Sequence, residues 1–245
     1  MALLLSTRRT MVGAVSTYAD KVLSYGPVAY WPLSEASGTA ATCLTNPAMN
    51  GTYSSDVSGW PVGTGIGDGN TAPGFDGTND YIDIYSVPFR DAFDGGEGTV
   101  HGWFRVSAVG DWTDGIQRLV VRLYIDANNY ISIYKSNANN TFGFEYKAGG
   151  TLEFQLTAGM TATTAIPLAL TWSATADAVI YYLNGTTSGA ADAGLGVWAG
   201  QLAALTTLIG AGNQVPVNSW KGAIGHVSVF DRPLSASDIA DLAVV

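Results

Sequence analysis

Asp76, Asn79 and Asp80 crowd into one short stretch, PGFDGTNDYIDIYS (73–86), just ahead of a run of tyrosine and isoleucine. Three hard oxygen donors so close together suit a hard cation such as calcium, with loop carbonyls completing a shell of about six to eight ligands. The same residues suit a turn that ties down its own backbone. Asp76 then accepts N–H bonds, Gly77 takes a positive φ, and Asn79 tolerates the left-handed region. The spacing is not that of a helix-loop-helix calcium loop, because Val87 stands where the closing glutamate would fall. The turn is the favoured reading. A structural calcium is the alternative, and no other cofactor is expected.

A second group could recognise sugar. His101, Trp103 and Arg105 alternate along TVHGWFRVS (99–107) and share one strand face, opposite Val100, Phe104 and Val106. An aromatic plane flanked by polar groups is what a sugar site requires. Tyr124 and Tyr134, with Tyr130, offer a neighbouring platform. The competing reading for each is packing, because aromatic rings are large buried groups. Trp31, Trp172 and Trp220, inside or beside apolar strand segments, are expected in the core. Trp60, Trp112 and Trp198, next to glycine and aspartate, are expected at the surface or an interface. Nucleophilic catalysis has little to work with. The histidines are His101 and His226 alone, Cys43 is the only cysteine, and there is no G-x-S-x-G.

The elements that must position these residues are strands. The chain has 245 residues, 30 of them glycine, and only 13% are charged, about half the usual share. Apolar runs alternate at 99–107, 117–126, 129–136, 140–148, 151–158, 167–174, 178–186, 206–212 and 221–230. Ala127-Asn128, Gly149-Gly150 and Asn184-Gly185 punctuate them as turns. Many short strands with helices only at the ends indicate an all-β antiparallel sandwich. A short helix is expected between Gly13 and Ser24, stopped by Gly26-Pro27. Another is expected after Ser235, with Asp238 completing a capping box and Ile239 and Leu242 as its apolar side.

Net charge is −9, unevenly spread. Arg8, Arg9 and Lys21 against Asp20 give residues 1–25 a charge of +2, leaving −11 on the remainder. An acidic body argues against a nucleic-acid surface. With one cysteine no internal disulfide forms, which fits assembly in a reducing interior. The start, MALLLSTRRTMVGAV, does not read as a signal peptide, since its apolar run is short and its arginines follow it. No stretch approaches 18 uninterrupted apolar residues, so no membrane insertion is expected. Residues 1–27 read as a docking arm, with Arg8, Arg9 and Lys21 as its contacts. A helix packed on its own domain is the alternative. Residues 28–245 read as the domain proper.

VAYWPLSEASGTAA (28–41), NGTY (50–53), PGFDGTNDYIDI (73–84), GTVHGWFRVS (98–107), LALTWSATADAVIYYLNGT (168–186), LIGAG (208–212) and KGAIGHVSVFDRPLSASDI (221–239) occur in that order. Together they resemble the laminin-G-like, pentraxin-like branch of the concanavalin A-like lectin/glucanase family. The resemblance covers roughly residues 28–242 and implies a curved two-sheet jelly roll. Glucanases of that family carry Glu-x-Asp-x-x-Glu on one strand. Glu35, Glu97, Glu145 and Glu153 have no such partners, and Asp80 and Asp83 would face opposite ways, so no enzymatic activity is expected. Relatives often have Asp-Glu where this chain has Gly225-His226, and that aspartate commonly serves their cation site, which weighs against calcium.

The lead-in ending Pro27-Val28-Ala29-Tyr30-Trp31 is similar to the start of such domains in bacteriophage structural proteins. It implies a non-enzymatic virion protein, a capsid decoration or appendage subunit, displayed on the virion surface after assembly in the bacterial cytoplasm. Its partners would be the major capsid or another virion protein through the arm, further copies of itself as a homo-oligomer, and a cell-surface glycan. The alternative is an extracellular glycan-binding module of a tail fibre or bacterial surface protein.

Overall fold

Thr17 caps helix α1 (Tyr18–Ser24): its hydroxyl accepts the Asp20 N–H, and the Asp20 carboxylate accepts the Thr17 N–H in return. The helix stops at Gly26, which takes φ 66° ahead of Pro27. The protein was studied as a computed structural model, which describes residues 17–245. After α1 come β1 (Ala29–Trp31), β2 (Ala40–Ala41), β3 (Gly51–Tyr53), β4 (Val62–Thr64), β5 (Thr71–Asp76) and β6 (Ile82–Asp83). Helix α2 (Val87–Ala92) follows, capped by Ser86 and carrying Pro88 in its first turn. Helices were expected only at the ends, and α2 corrects that. Proline fits a first turn, where its missing N–H is not needed.

The long strands come next: β7 (Glu97–Val106), β8 (Arg118–Asp126), β9 (Asn129–Lys135), β10 (Phe142–Ala148), β11 (Thr151–Thr157), β12 (Ile166–Ser173) and β13 (Ala178–Leu183). β14 (Thr186–Thr187), β15 (Leu208–Ile209), β16 (Lys221–Phe230) and α3 (Ala236–Leu242) complete the chain. The hairpins β8–β9 and β10–β11 turn where expected, at Ala127-Asn128 and Gly149-Gly150. Asn184-Gly185 instead joins β13 to the short β14, while β12 and β13 connect through residues 174–177.

Two antiparallel sheets result. Sheet A runs β14-β13-β12-β7-β16-β5-β4, with β1 also on β16. Sheet B runs β11-β10-β9-β8-β15-β6-β3-β2. The fold is the all-β sandwich the strand pattern implies. The main core lies between the sheets. Val100, Phe104 and Val106 of sheet A meet Phe142, Phe144, Ile131 and Ile133 of sheet B, joined by Trp31, Trp172 and Trp220.

A second core lies outside sheet A. The register sets Tyr30, Ser228, His101, Ala169 and Tyr182 in one row across five strands. The small residues in that row leave room above the sheet, and α1 and α3 fill it. Tyr18 and Val22 of α1, Ile239 and Leu242 of α3, and Leu234 pack on Tyr30, Trp103, Ala169, Tyr182 and Phe230. The described part of the expected docking arm, residues 17–27, is therefore built onto the sandwich. Lys21 turns to the other terminus: its ammonium donates to the carbonyls of Val244 (2.9 Å) and Asp241 (3.3 Å). Arg8 and Arg9 lie outside the described residues.

Candidate functional site

Asp76, Asn79 and Asp80 lie at the end of β5 and in the turn that follows it. Asp76 Oδ1 accepts the N–H of Thr78 at 2.6 Å and lies 3.4 Å from that of Asn79. Asp80 Oδ2 accepts the N–H of Asp76 at 2.8 Å. The left-handed step falls on Gly77 (φ 85°), not on Asn79. The loop carbonyls are also taken, by Arg118 Nη1 at Gly77, Ser219 Oγ at Thr78 and Ser54 Oγ at Asn79. Burial pushes the Asp80 carboxyl up, with the nearby Asp76 charge adding to it. This is the geometry of a turn bound by its own side chains, with a guanidinium already beside it. Among the described residues, no three His, Cys, Asp or Glu gather to hold a metal ion.

The five residues expected to contact sugar do not form one surface. His101, Trp103 and Arg105 are on the outer side of sheet A, Tyr124 and Tyr134 on the outer side of sheet B. Helices α1 and α3 cover the first platform, so His101 is 1% and Trp103 6% exposed. Trp103 Nε1 donates to the Tyr18 hydroxyl (2.7 Å), which donates to the Leu242 carbonyl (2.5 Å). His101 lies between that hydroxyl (3.5 Å) and Ser228 Oγ (3.3 Å). Burial holds its imidazole down at about 3, and the neighbouring His226 adds to the effect. Arg105 stays half-buried at the rim of the same face. The face that alternation marked as polar is thus a second interior.

Beside it, β16 carries a bulge between Gly225 and Ser228 that holds His226 at φ 53°. Its Nε2 meets Asp68 Oδ2 at 3.1 Å and its Nδ1 meets the Tyr30 hydroxyl at 2.6 Å. Asp68, His226 and Tyr30 resemble a relay, but Tyr30 and His226 are buried and the Asp68 side chain is only 4% exposed, with Tyr18 packed edge-on to the imidazole at 4.8 Å. Burial also drives the Tyr30 phenol far above its usual range, so it stays protonated. The network satisfies buried polar groups and presents no nucleophile.

The tryptophans near glycine and aspartate are corrected as well. Trp60 packs on Tyr53 and Phe75, and the fully buried Trp112 donates to the Ala162 carbonyl at 2.9 Å. Trp198 is half-buried between Phe93 and Tyr146. Loop composition cannot reveal that a ring folds back onto the core.

The open site is on sheet B. Alternation puts Arg122 and Tyr124 of β8 on the outer face, opposite Ser132 and Tyr130 of β9, and a bulge between Leu119 and Val121 brings Leu119 to the same face, opposite Tyr134. The next strand, β10, places Glu145 against Ser132 and Lys147 against Tyr130. Gln117 and Asn218 close one end of the resulting pocket, of ≈ 340 Å³. Tyr124 and Tyr130 stack at 6.0 Å, with the Arg122 guanidinium 4.1 Å over the Tyr124 ring. Arg122 Nη1 donates to the Gly212 carbonyl at 2.7 Å, while its buried Nε has no partner. Burial holds the guanidinium below its usual range. Glu145 Oε1 accepts from the Tyr134 hydroxyl at 2.9 Å. Burial and then the Glu145 charge push the Tyr130 phenol up to about 12.

Of the expected sugar contacts, the structure brings Tyr124 to this pocket, with Tyr134 acting through Glu145. Sequence reasoning missed Arg122 and Glu145. The alternation of the hairpins could have signalled both, since each falls in register with a named tyrosine's strand.

The family model described as the concanavalin A-like lectin/glucanases superfamily matches residues 76–240. No curated protein sequence matches the chain. Among solved structures, domain 4 of the extracellular arabinanase AbnA from Geobacillus stearothermophilus, in complex with arabinotriose, is similar with a TM-score of 0.62 and 17% identity, covering 89% of this chain and 98% of that one. The CBM40 of the Ruminococcus gnavus IT-sialidase superposes with a TM-score of 0.53 and 15% identity, covering 71% and 93%. The botulinum neurotoxin type G receptor-binding domain has a TM-score of 0.59 and 9% identity over 89% of this chain, which spans half of that one. At these identities the likeness is one of fold. Among the described residues, no helix is long and apolar enough to cross a membrane.

Proposed function

The chain belongs to the concanavalin A-like lectin/glucanases superfamily, and from that premise we propose that it is a non-catalytic glycan-binding module whose site is the outer face of sheet B. The carrying observation is the pocket in which the stacked Tyr124 and Tyr130 stand beside Arg122, whose buried Nε has no partner, and Glu145. Tyrosine faces suit the C–H side of a pyranose or furanose ring. A guanidinium and a carboxylate suit adjacent hydroxyls, one donating and one accepting. The similar arabinanase domain holds arabinotriose, which supports an oligosaccharide as the ligand class. One carboxylate, Glu145, lines the pocket, whereas glycoside hydrolysis calls for two.

Screening on a glycan array, followed by calorimetry with Arg122→Ala and Tyr130→Ala, tests this. Each variant should weaken the best ligand by about tenfold or more, as expected for losing a charged hydrogen bond or a stacking face. A blank array, or full affinity in both variants, defeats the reading.

The placement of the module on a bacteriophage particle, as a capsid decoration or appendage exposed at the virion surface, is a second proposal. The lead-in through Trp31 and the basic Arg8 and Arg9 support it. The contact would be made by residues 1–16, since Lys21 already binds the C-terminal carbonyls. Deleting residues 1–16 leaves α1 in place. Loss from particles with glycan binding retained would support docking, and normal incorporation would refute it. An extracellular module of a fibre or bacterial surface protein is the alternative placement.

A further inference from the structure

β11 reverses the polarity of the sheet it ends. Opposite the core residues Ala148, Tyr146, Phe144 and Phe142 of β10 stand Thr151, Glu153, Gln155 and Thr157. The outward row is apolar instead, with Leu152, Phe154 and Leu156 exposed by 41%, 53% and 44%. β11 is the last strand of sheet B, so among the described residues its far edge has no strand beside it. A long edge with an apolar outer row is a template for another strand.

The backbone is set for that pairing. Gly149 and Gly150, at φ 54° and 89°, form a two-residue turn, which makes Ala148 and Thr151 a hydrogen-bonded pair. Alternate residues Glu153, Gln155 and Thr157 then also spend their N–H and C=O groups on β10. Leu152, Phe154 and Leu156 point theirs to the open edge. The Leu156 carbonyl takes the Gln155 side-chain amide at 2.9 Å, a stand-in that a strand would displace.

We propose that this edge pairs with the same edge of a second copy, antiparallel about a two-fold axis at Phe154, to form a homodimer. The strand reads Thr-Leu-Glu-Phe-Gln-Leu-Thr, the same in both directions except for the exchange of glutamate and glutamine. With the axis at Phe154, that ring faces its own copy, Leu152 faces Leu156, and Thr151 faces Thr157. Glu153 faces Gln155, an amide that can donate to it, and not a second carboxylate. Moving the axis to Glu153 sets two carboxylates face to face, beside the charges of Asp192 and Asp177. Moving it to Gln155 leaves Leu152 unmatched. Only the Phe154 axis uses the whole apolar row, and it adds about six main-chain hydrogen bonds. Isologous contacts of this kind close on themselves and stop at two copies. The two sheets B become one, with both tyrosine pockets on it.

Sedimentation equilibrium of the full chain at micromolar concentrations tests the dimer. The wild type should have twice the 25.5 kDa chain mass, and Phe154→Lys should have one chain mass, with unchanged circular dichroism. Register is read by thiol cross-linking, with the native Cys43 buried and silent. Phe154→Cys should form a disulfide-linked dimer on mild oxidation, because facing positions of a hydrogen-bonded pair lie about 5.5 Å apart. Leu152→Cys should not. This second measurement stands even if Phe154→Lys fails to fold. A monomeric wild type, a dimer that Phe154→Lys leaves intact, or a dimer in which Leu152→Cys cross-links and Phe154→Cys does not overturns the proposal.

Discussion

Acidification should weaken the protein through His101. The imidazole is sealed between sheet A and the two terminal helices. Tyr18 of α1, Ser228 and His226 of β16, and the Leu242 carbonyl of α3 surround it. Its pKa falls from 6.5 in the unfolded chain to about 3 when folded. Below 6.5 the unfolded state therefore binds a proton that the folded state refuses. Stability is full above the unfolded value and declines as pH falls toward the folded one. Each unit in that window costs about 1.4 kcal/mol, so moving from pH 6.5 to 5 costs about 2 kcal/mol. The carboxylates held below their usual range, such as Asp114, titrate at lower pH and stay clear of this window. The assay is urea unfolding followed by tryptophan fluorescence at pH 7 and pH 5, at fixed ionic strength. Wild type should lose about 2 kcal/mol more between the two than His101→Gln, whatever their absolute stabilities. His226 is present in both proteins and cancels to first order. Equal losses would refute the burial argument and with it the helical cover over the outer face of sheet A.

Tyr18→Phe leaves the buried Trp103 Nε1 without its acceptor and removes the hydroxyl donor from the Leu242 carbonyl, and should cost about 1–3 kcal/mol in the same urea assay. Asp114→Asn removes the counter-charge of the fully buried Lys135 and of Arg118, so a loss of about 3–5 kcal/mol is expected. Burial opposes the Asp114 charge, but Lys135, the Ile116 N–H and Arg118 hold its pKa down at about 2, so this contribution fades as pH falls from about 4 toward 2. An acid-unfolding curve of the variant should lack that limb. Gly98→Ala drives a methyl into the Trp172 ring at the β7–β12 contact and should cost about 1–3 kcal/mol of thermal or urea stability.

Much of the fold was legible because strands announce themselves locally. The period-two alternation of 99–107 sorted Val100, Phe104 and Val106 from His101, Trp103 and Arg105, and they do lie on opposite faces of β7. The Gly149-Gly150 turn, the Gly26-Pro27 stop of α1 and the Ser235–Asp238 box are decided by the conformational limits of a few neighbouring residues. Short α2 was missed because its signal, Ser86 followed by Val87-Pro88, is also the signal of a turn.

The site was legible only in pieces. Tyr124, Tyr130 and Tyr134 could be named from their hairpin, and alternation offered Arg122 and Glu145 beside them, but the registers of β8, β9 and β10 decide that they meet.

By itself, then, the sequence determined which residues share a strand face, where the chain turns, and that two layers of strands would enclose Trp31, Trp172 and Trp220. Tertiary structure alone decided which outer face stays open. Alternation defines two faces but cannot say what lies on them. That depends on a segment 85 residues distant in sequence, where Tyr18 reaches Trp103 and closes the face of sheet A. The same kind of side-chain pattern on sheet B met no such segment among the described residues, and Tyr124 and Tyr130 stay half-exposed around Arg122. Burial is a property of the whole packed chain, because it is set by the area that distant segments remove from water and not by the residue's own neighbours along the backbone.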